Sequence, residues 1–242
     1  MAVADVANPA FFLNFANRAI PWLGGATVIA FAFGIDQAIG APDDYQQGAT
    51  VKIMFLHVPG AWLGMLAWGL MTIAALGTLV WRHPLADVAG KAAAPIGAGF
   101  TLMCLVTGSL WGRPMWGSYW VWDARLTSVL VLFLLYLGVI ALWRTVEDPS
   151  RAARAAAILT LVGALDLPII KFSVDWWNTL HQPASVFRLG APTIDASILI
   201  PLFVMAAAFT LLFVTLLIAA MRNEILRRRV RTLWLIRASA VS

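Results

Sequence analysis

Five stretches of the chain, 19–35, 53–81, 92–112, 126–143 and 196–221, contain no Asp, Glu, Lys or Arg. Crossing about 30 Å of hydrocarbon takes roughly 17–25 helical residues, so each stretch is near or above the length of a membrane span. A sixth apolar stretch, about 155–174, is interrupted by Asp166 and Lys171. In lipid the backbone must satisfy its own hydrogen bonds, which restricts spanning structures to helices and closed barrels. Uninterrupted runs of this length are not the alternating, ~10-residue pattern of a barrel strand. The expected fold is therefore an all-α integral membrane protein with six transmembrane helices. Composition excludes an ordinary soluble domain: 61% of residues are hydrophobic and 12% charged, against about 25% charged in soluble proteins.

Orientation follows from the basic residues. With both termini cytoplasmic, twelve Lys and Arg fall in inner segments and five (Lys52, Arg113, Arg125, Lys171 and Arg188) in outer ones, as the positive-inside rule requires. The same distribution places the basic tail 222–237 at the anionic inner surface of the membrane and argues against nucleic acid as the partner of a +5 chain. Cys104 is the single cysteine, so the chain has no C-x-x-C redox motif and no covalent haem-attachment motif. It also lacks a P-loop, so any ATP used is hydrolysed by a partner. Residues 1–17, with Asp5 and no short apolar core, do not read as a signal peptide.

The whole chain, 1–242, reads as one six-helix domain. The expected helices cover about 20–38, 59–81, 92–111, 126–143, 155–174 and 196–221, with a Trp-rich outer segment at 111–128 and a long outer loop at 175–195. Leu56-His57-Val58-Pro59 is echoed by Leu180-His181-Gln182-Pro183. Proline disfavours helix at the residue before it, which sets each histidine beside a helix break, and both on the outer side. His83 falls on the inner side.

Trp111, Trp116, Tyr119, Trp120 and Trp122 lie within twelve residues, with Gly and Pro between them. An aromatic belt at the headgroups needs one or two aromatics per helix end. A contiguous set suits the surface of a large, flat, apolar ligand, with indole N–H groups at its polar edge. A second cluster, Asp175-Trp176-Trp177-Asn178-Thr179-Leu180-His181, is also outer and aromatic. A lone histidine at a helix end is usually a hydrogen-bonding surface residue. Two on one face beside such a platform, His57 and His181, suggest the two axial ligands of a haem iron. Arg125, at the outer start of helix 4, is the best candidate for haem propionates, with Arg188, Arg113 and Lys52 behind it; the alternatives are pairing with Asp123 or snorkelling. Asp123 is expected to cap helix 4. Asp166, two residues before Pro168, is either functional or protonated and bonded to groups freed by the kink, the second being favoured. Gly60-x-x-x-Gly64 fits close helix packing.

Trp111-Gly-Arg-Pro-Met-Trp-Gly-Ser-Tyr-Trp-Val-Trp-Asp-Ala-Arg-Leu-Thr-Ser128 resembles the "WWD" signature of haem-handling proteins, specifically that of the CcmC family. Phe172-Ser-Val-Asp-Trp-Trp-Asn-Thr-Leu-His-Gln-Pro183 is similar to a second signature of that family. Length and six spans agree, so the resemblance covers the whole chain. Tyr119 stands where the family usually has Trp, and Asp166 where Asn is expected. The resemblance implies a non-enzymatic subunit of c-type cytochrome biogenesis in the bacterial inner membrane. It would bind b-type, non-covalent haem at the periplasmic face and support its transfer to the haem chaperone CcmE. Its complex would include CcmA, the ATP-hydrolysing subunit, with CcmB and CcmD. His57 and His181 match the family's expected axial ligands, and Trp116, Tyr119, Trp120, Trp122, Asp123, Arg125, Trp176, Trp177 and Arg188 complete the expected haem-contact set. A haem lyase would need more spans. An electron-transferring b-type cytochrome would carry its histidines at bilayer depth. An ABC permease for another substrate would not need the Trp cluster.

Overall fold

The computed structural model describes residues 8–177, 179–182, 185–186, 188 and 190–240. The lead 1–7 and, from the second signature, Asn178 and Pro183 lie outside them. The helices are α1 (Pro9–Gly40), a 3-10 turn (Ala49–Ile53) running into α2 (Met54–Leu79), α3 (Ala86–Trp116), α4 (Ala124–Thr145), α5 (Pro149–Gly163), α6 (Asp166–Trp176) and α7 (Ala196–Ser239). With α5 and α6 counted as one broken span, six segments are long and apolar enough to cross a membrane, as the charge-free runs require.

Side-chain caps set several helix starts. Asn8, Asp123, Asp148 and Asp195 each accept a backbone N–H of the first turn, satisfying donors that have no partner inside the helix. The structure departs from the expected boundaries in four places. α3 runs five residues further, to Trp116, so the first half of the Trp-rich segment is helical; Gly117, in the left-handed region at φ 77°, ends it. His57 is not beside a break but in the first turn of α2, and Pro59 lies inside that helix, which the 3-10 turn leads into. The fifth span is interrupted at Ala164–Leu165, since Pro168 has no N–H to offer the Ala164 carbonyl and its ring crowds it. Asp166 is buried at that interruption, but its Oδ2 has no hydrogen-bond partner among the described residues, so the expected bond to groups freed by the kink is not seen for this oxygen. Finally, α7 continues through the basic tail to Ser239. It has 44 residues, about 66 Å at 1.5 Å per residue.

α2 is the central helix, packed against α3, α5 and α7. Gly60 and Gly64 face α3, Gly60 against the Phe100 carbonyl and Gly64 against Thr101, so the small-residue motif does bring two backbones together. The core is closed by Trp68, Tyr136, Phe55 and Met71, all fully buried. Trp68 meets Tyr136 edge-on at 4.7 Å. Its indole donates to the Thr160 carbonyl (3.1 Å), and the Tyr136 hydroxyl donates to the Gly64 carbonyl (2.7 Å), so both polar tips are satisfied at depth. α1 packs on α7, where the Thr27 and Thr215 hydroxyls bond at 3.1 Å. Its other face, with Trp22, Val28 and Ile29, is exposed, as a lipid-facing helix is.

The bundle has two distinct ends. At the one where the termini lie, Leu13, Leu85, Val88, Met221 and Ile225 form a small second core. Beside it Glu224 accepts from Lys91 (2.7 Å) and from Arg228 (3.0 Å), and Arg228 also pairs with Asp87 (2.8 Å). At the opposite end the connections 41–48 and 117–123, with His181, Gln182, Ser185, Val186 and residues 192–195, gather around a cavity.

Candidate functional site

The cavity has a volume of about 850 Å³, within the roughly 300–1,000 Å³ of ligand sites. Away from the mouth its lining is apolar, with Val58, Trp62 and Met65 from α2, Leu105 from α3, Val129 from α4 and Leu202 from α7. Its mouth is aromatic and polar, with Gln47, Trp111, Trp116, Trp120, Arg125 and His181. An apolar interior with polar groups at one rim suits a flat hydrophobic molecule that carries charge on one edge.

His57 enters from the first turn of α2. Its Nδ1 lies 3.0 Å from the Cys104 carbonyl and 3.1 Å from the Thr107 hydroxyl. That hydroxyl donates to the Met103 carbonyl at 2.6 Å, so toward His57 it acts as an acceptor. Two acceptors at Nδ1 require the proton there, which leaves the Nε2 lone pair available. Trp111 packs edge-on against the ring at 5.7 Å. A side chain at Gly108 would crowd the imidazole, since a Cβ would lie 2.8 Å from Cε1.

His181 is held by different parts in the same way. Its Nδ1 lies 3.1 Å from Asp123 Oδ2, and the Trp116 ring packs against it at 4.8 Å. Asp123 Oδ1 meanwhile accepts the Leu126 N–H at 2.7 Å. One carboxylate thus caps α4 and orients a histidine, so the expected capping role is present together with a second one. A carboxylate on the far nitrogen is the arrangement that fixes tautomer and orientation in metal-ligating histidines. The aromatic anchors of the two rings, Trp111 and Trp116, are five residues apart on α3, about 7.5 Å of helical rise.

Burial, the largest influence, pushes the His181 pKa below its ordinary 6.5, the bond and charge of Asp123 pull it back up, and the Arg125 cation adds to the lowering. His181 is therefore neutral, as a ligand must be, at neutral pH. Because the unfolded chain binds this proton more readily, the contribution to stability is complete above 6.5 and is lost as pH falls through the folded value. Asp123→Asn keeps a good cap but removes the charge that pulls upward. The expected result is an acid transition of His181 moved to lower pH, read from carbethoxylation of His181 in the ligand-free protein as pH is lowered. An unmoved transition would show that Asp123 does not couple to the ring.

Arg125 reaches the cavity while donating from Nε to the Ser173 hydroxyl (3.1 Å) and, over longer distances, from Nη2 to the Ile170 and Lys171 carbonyls (3.4 and 3.3 Å). It ties α4 to α6, and no carboxylate is within ion-pair distance of it among the described residues. The indole Nε1 of Trp120 is buried with no hydrogen-bond partner among them. A buried N–H in that state costs free energy and is a donor waiting for an acceptor at the rim.

The expected set thus divides. His57, Trp116, Trp120, Arg125 and His181 come together around the cavity. Tyr119, Trp122, Trp176 and Trp177 do not line it; they are 50–75% exposed at the same end of the bundle. Arg188 is exposed and also outside the lining. Arg113 lies over the Tyr119 ring at 5.6 Å, and Lys52 donates to the Ile39 carbonyl at 2.9 Å. The structure adds Trp62, Gln47, Thr107 and Gly108 to the site and gives Trp111, already part of the aromatic cluster, a contact with His57. Those four carry no signal along the chain, because their roles depend on which helices pack together.

The family model for heme exporter protein C matches residues 2–236. The chain belongs to the heme exporter protein C family. It is 72% identical over 242 residues to "Heme exporter protein C" of Bradyrhizobium diazoefficiens, covering 100% of this chain and 92% of that one. It is 50% identical over 216 residues to the protein of that name in Escherichia coli K12, covering 89% and 87%. It is also 49% identical over 169 residues to a "Putative cytochrome c biosynthesis ccmC-like mitochondrial protein" of Marchantia polymorpha, covering 70% and 71%. In this member of the heme exporter protein C family, the WWD segment thus divides between the end of α3, the connection to α4 and the first turn of α4.

Proposed function

We propose that this chain is a haem-handling subunit of c-type cytochrome maturation that binds haem non-covalently and presents it at the periplasmic face of the inner membrane. The observation that carries the reading is the pair of histidines. Each has Nδ1 committed to an acceptor within the chain, each is packed against a Trp of α3, and both line one cavity of mixed apolar and polar character. Bis-imidazole ligation of a haem iron needs neutral rings offering Nε2. The roles then follow. His57 and His181 are the axial ligands, Trp116 and Trp120 wall the porphyrin, and Arg125 with the Trp120 N–H takes propionate oxygens. Asp123 positions His181. Tyr119, Trp122, Trp176 and Trp177, exposed at the rim, form the contact surface for the haem chaperone CcmE, with Arg188 beside them.

The excess of Lys and Arg on the terminal side supports a cytoplasmic position for both termini and hence a periplasmic site. Binding and transfer need no acid–base catalyst. ATP hydrolysis belongs to CcmA in a complex with CcmB and CcmD, since the chain has no P-loop of its own. The test is the absorption spectrum and pyridine-haemochrome content of the purified protein beside His57→Ala and His181→Ala. A six-coordinate spectrum in the wild type, converted or lost in both variants, is expected. Unchanged haem in both would overturn the ligand assignment.

A further inference from the structure

The connection between α1 and α2 is built more firmly than a surface loop requires. Asp44 Oδ1 accepts the N–H groups of Gln46 and Gln47, both at 2.9 Å, so one carboxylate shapes the turn. The Asp44 and Gly48 backbones close it by exchanging both hydrogen bonds, at 2.8 and 3.3 Å. Gly48 stands at φ 55° and ψ −144°, a conformation that suits glycine alone. The Gln47 carbonyl in turn accepts the Thr50 hydroxyl at 2.7 Å. With its N–H and its carbonyl both held, Gln47 presents its side chain from a fixed backbone. The amide oxygen of that side chain accepts the Trp111 indole N–H at 3.1 Å, across 64 residues of sequence.

Trp111 is the ring that packs edge-on against His57, and these contacts close a circuit. From Gln47 the chain runs through the 3-10 turn into the first turn of α2, which carries His57. His57 meets Trp111 on α3, and Trp111 returns to Gln47. The bonds at Nδ1 fix one atom of the imidazole but leave the ring free to tilt about it. The indole limits that tilt only if its own orientation is set. An indole N–H is a donor and nothing else, so an oxygen at that point selects the orientation of the whole ring. We propose that Gln47 is a positioning residue for His57: its amide oxygen holds the Trp111 indole, and the indole holds the imidazole in its orientation toward the cavity. The connection between α1 and α2 thereby belongs to the support of the ligand, in the manner of the outer partners that orient histidines at metal sites. The inference rests on the reading of His57 as an axial ligand of haem.

The test has a ligand-free and a haem-loaded part. In ligand-free protein labelled with fluorotryptophan, the fluorine resonance of Trp111 is assigned by its loss in Trp111→Phe. It should be one line in the wild type and in Gln47→Glu, which keeps an oxygen for the indole. In Gln47→Leu, which keeps the bulk without an acceptor, it should broaden or split as the ring takes up other orientations. In haem-loaded protein, Gln47→Leu should convert roughly half of the six-coordinate haem to five-coordinate, since a loosely held ligand loses much of its function, and Gln47→Glu should not. Trp111→Phe should show a similar conversion, and Gln47→Leu added to it should change nothing further. Helicity and melting temperature of ligand-free Gln47→Leu should match the wild type; if leucine disturbs the turn, Gln47→Met, of similar reach and without an amide, takes its place. An unaltered fluorine line in Gln47→Leu, the same change in Gln47→Glu, an unaltered haem spectrum beside an altered line, or effects that add in the double variant would overturn the proposal. A haem spectrum unchanged in His57→Ala would instead mean that the ligand reading has failed, so that variant tells the two failures apart.

Discussion

Replacing Gly108 with leucine is expected to remove haem as completely as removing His57, although no ligand is changed. The His57 imidazole has almost no freedom. Nδ1 is bonded to the Cys104 carbonyl and Thr107 on one side, and Trp111 closes on the ring edge. A Cβ at Gly108 would sit 2.8 Å from Cε1 and 3.3 Å from Nδ1, inside van der Waals contact. Alanine forces the ring to move by several tenths of an ångström; leucine leaves it no place. A ligand held even 1 Å from its productive position loses most of its function. We expect Gly108→Ala to retain part of the haem and Gly108→Leu essentially none, measured as haem per polypeptide in protein of unchanged helicity. Full haem content in Gly108→Leu would show that His57 does not hold the iron from this position.

Gly97→Ala is expected to cause a large loss of stability. The new Cβ would fall within the phenol ring of Tyr136, which is fully buried, packs against Trp68 and donates to the Gly64 carbonyl. Overpacking of this kind costs about 1–3 kcal/mol. If the ring swings away, its hydroxyl is left unsatisfied at a cost of about 1–3 kcal/mol more. Thermal unfolding in detergent should show a drop in midpoint of many degrees, relieved by the second substitution Tyr136→Leu, which vacates the space. A Gly97→Ala variant as stable as wild type would mean that α3 and α4 are not held at this distance.

Some of this protein can be read along the chain, and the reason is that crossing a membrane is a local property. Length and apolarity of a single segment decide it, so the six spans are legible in the charge-free runs. The Trp-rich segment is legible for a similar reason, being contiguous. Helix ends are less so: the charged tail ended the hydrophobic pattern at 221, yet the helix runs on to Ser239, because arginine and leucine are good helix formers in water as well as near lipid. The site itself is where reading by sequence stops. His57 is paired with a carbonyl 47 residues away, and His181 with a carboxylate 58 residues away. A backbone carbonyl has no residue identity, so Cys104 leaves no trace of this role in its side chain. Which acceptor faces which ring depends on how closely α2 and α3 approach at Gly60 and Gly64. It depends also on where His181 comes to lie against the start of α4. The sequence by itself determined the spans and the aromatic, histidine-bearing segments that one end of the bundle carries. Only tertiary packing decided which nitrogen of each histidine is free, which Trp faces the cavity and which faces solvent, because those choices are made by contacts between helices distant in the chain.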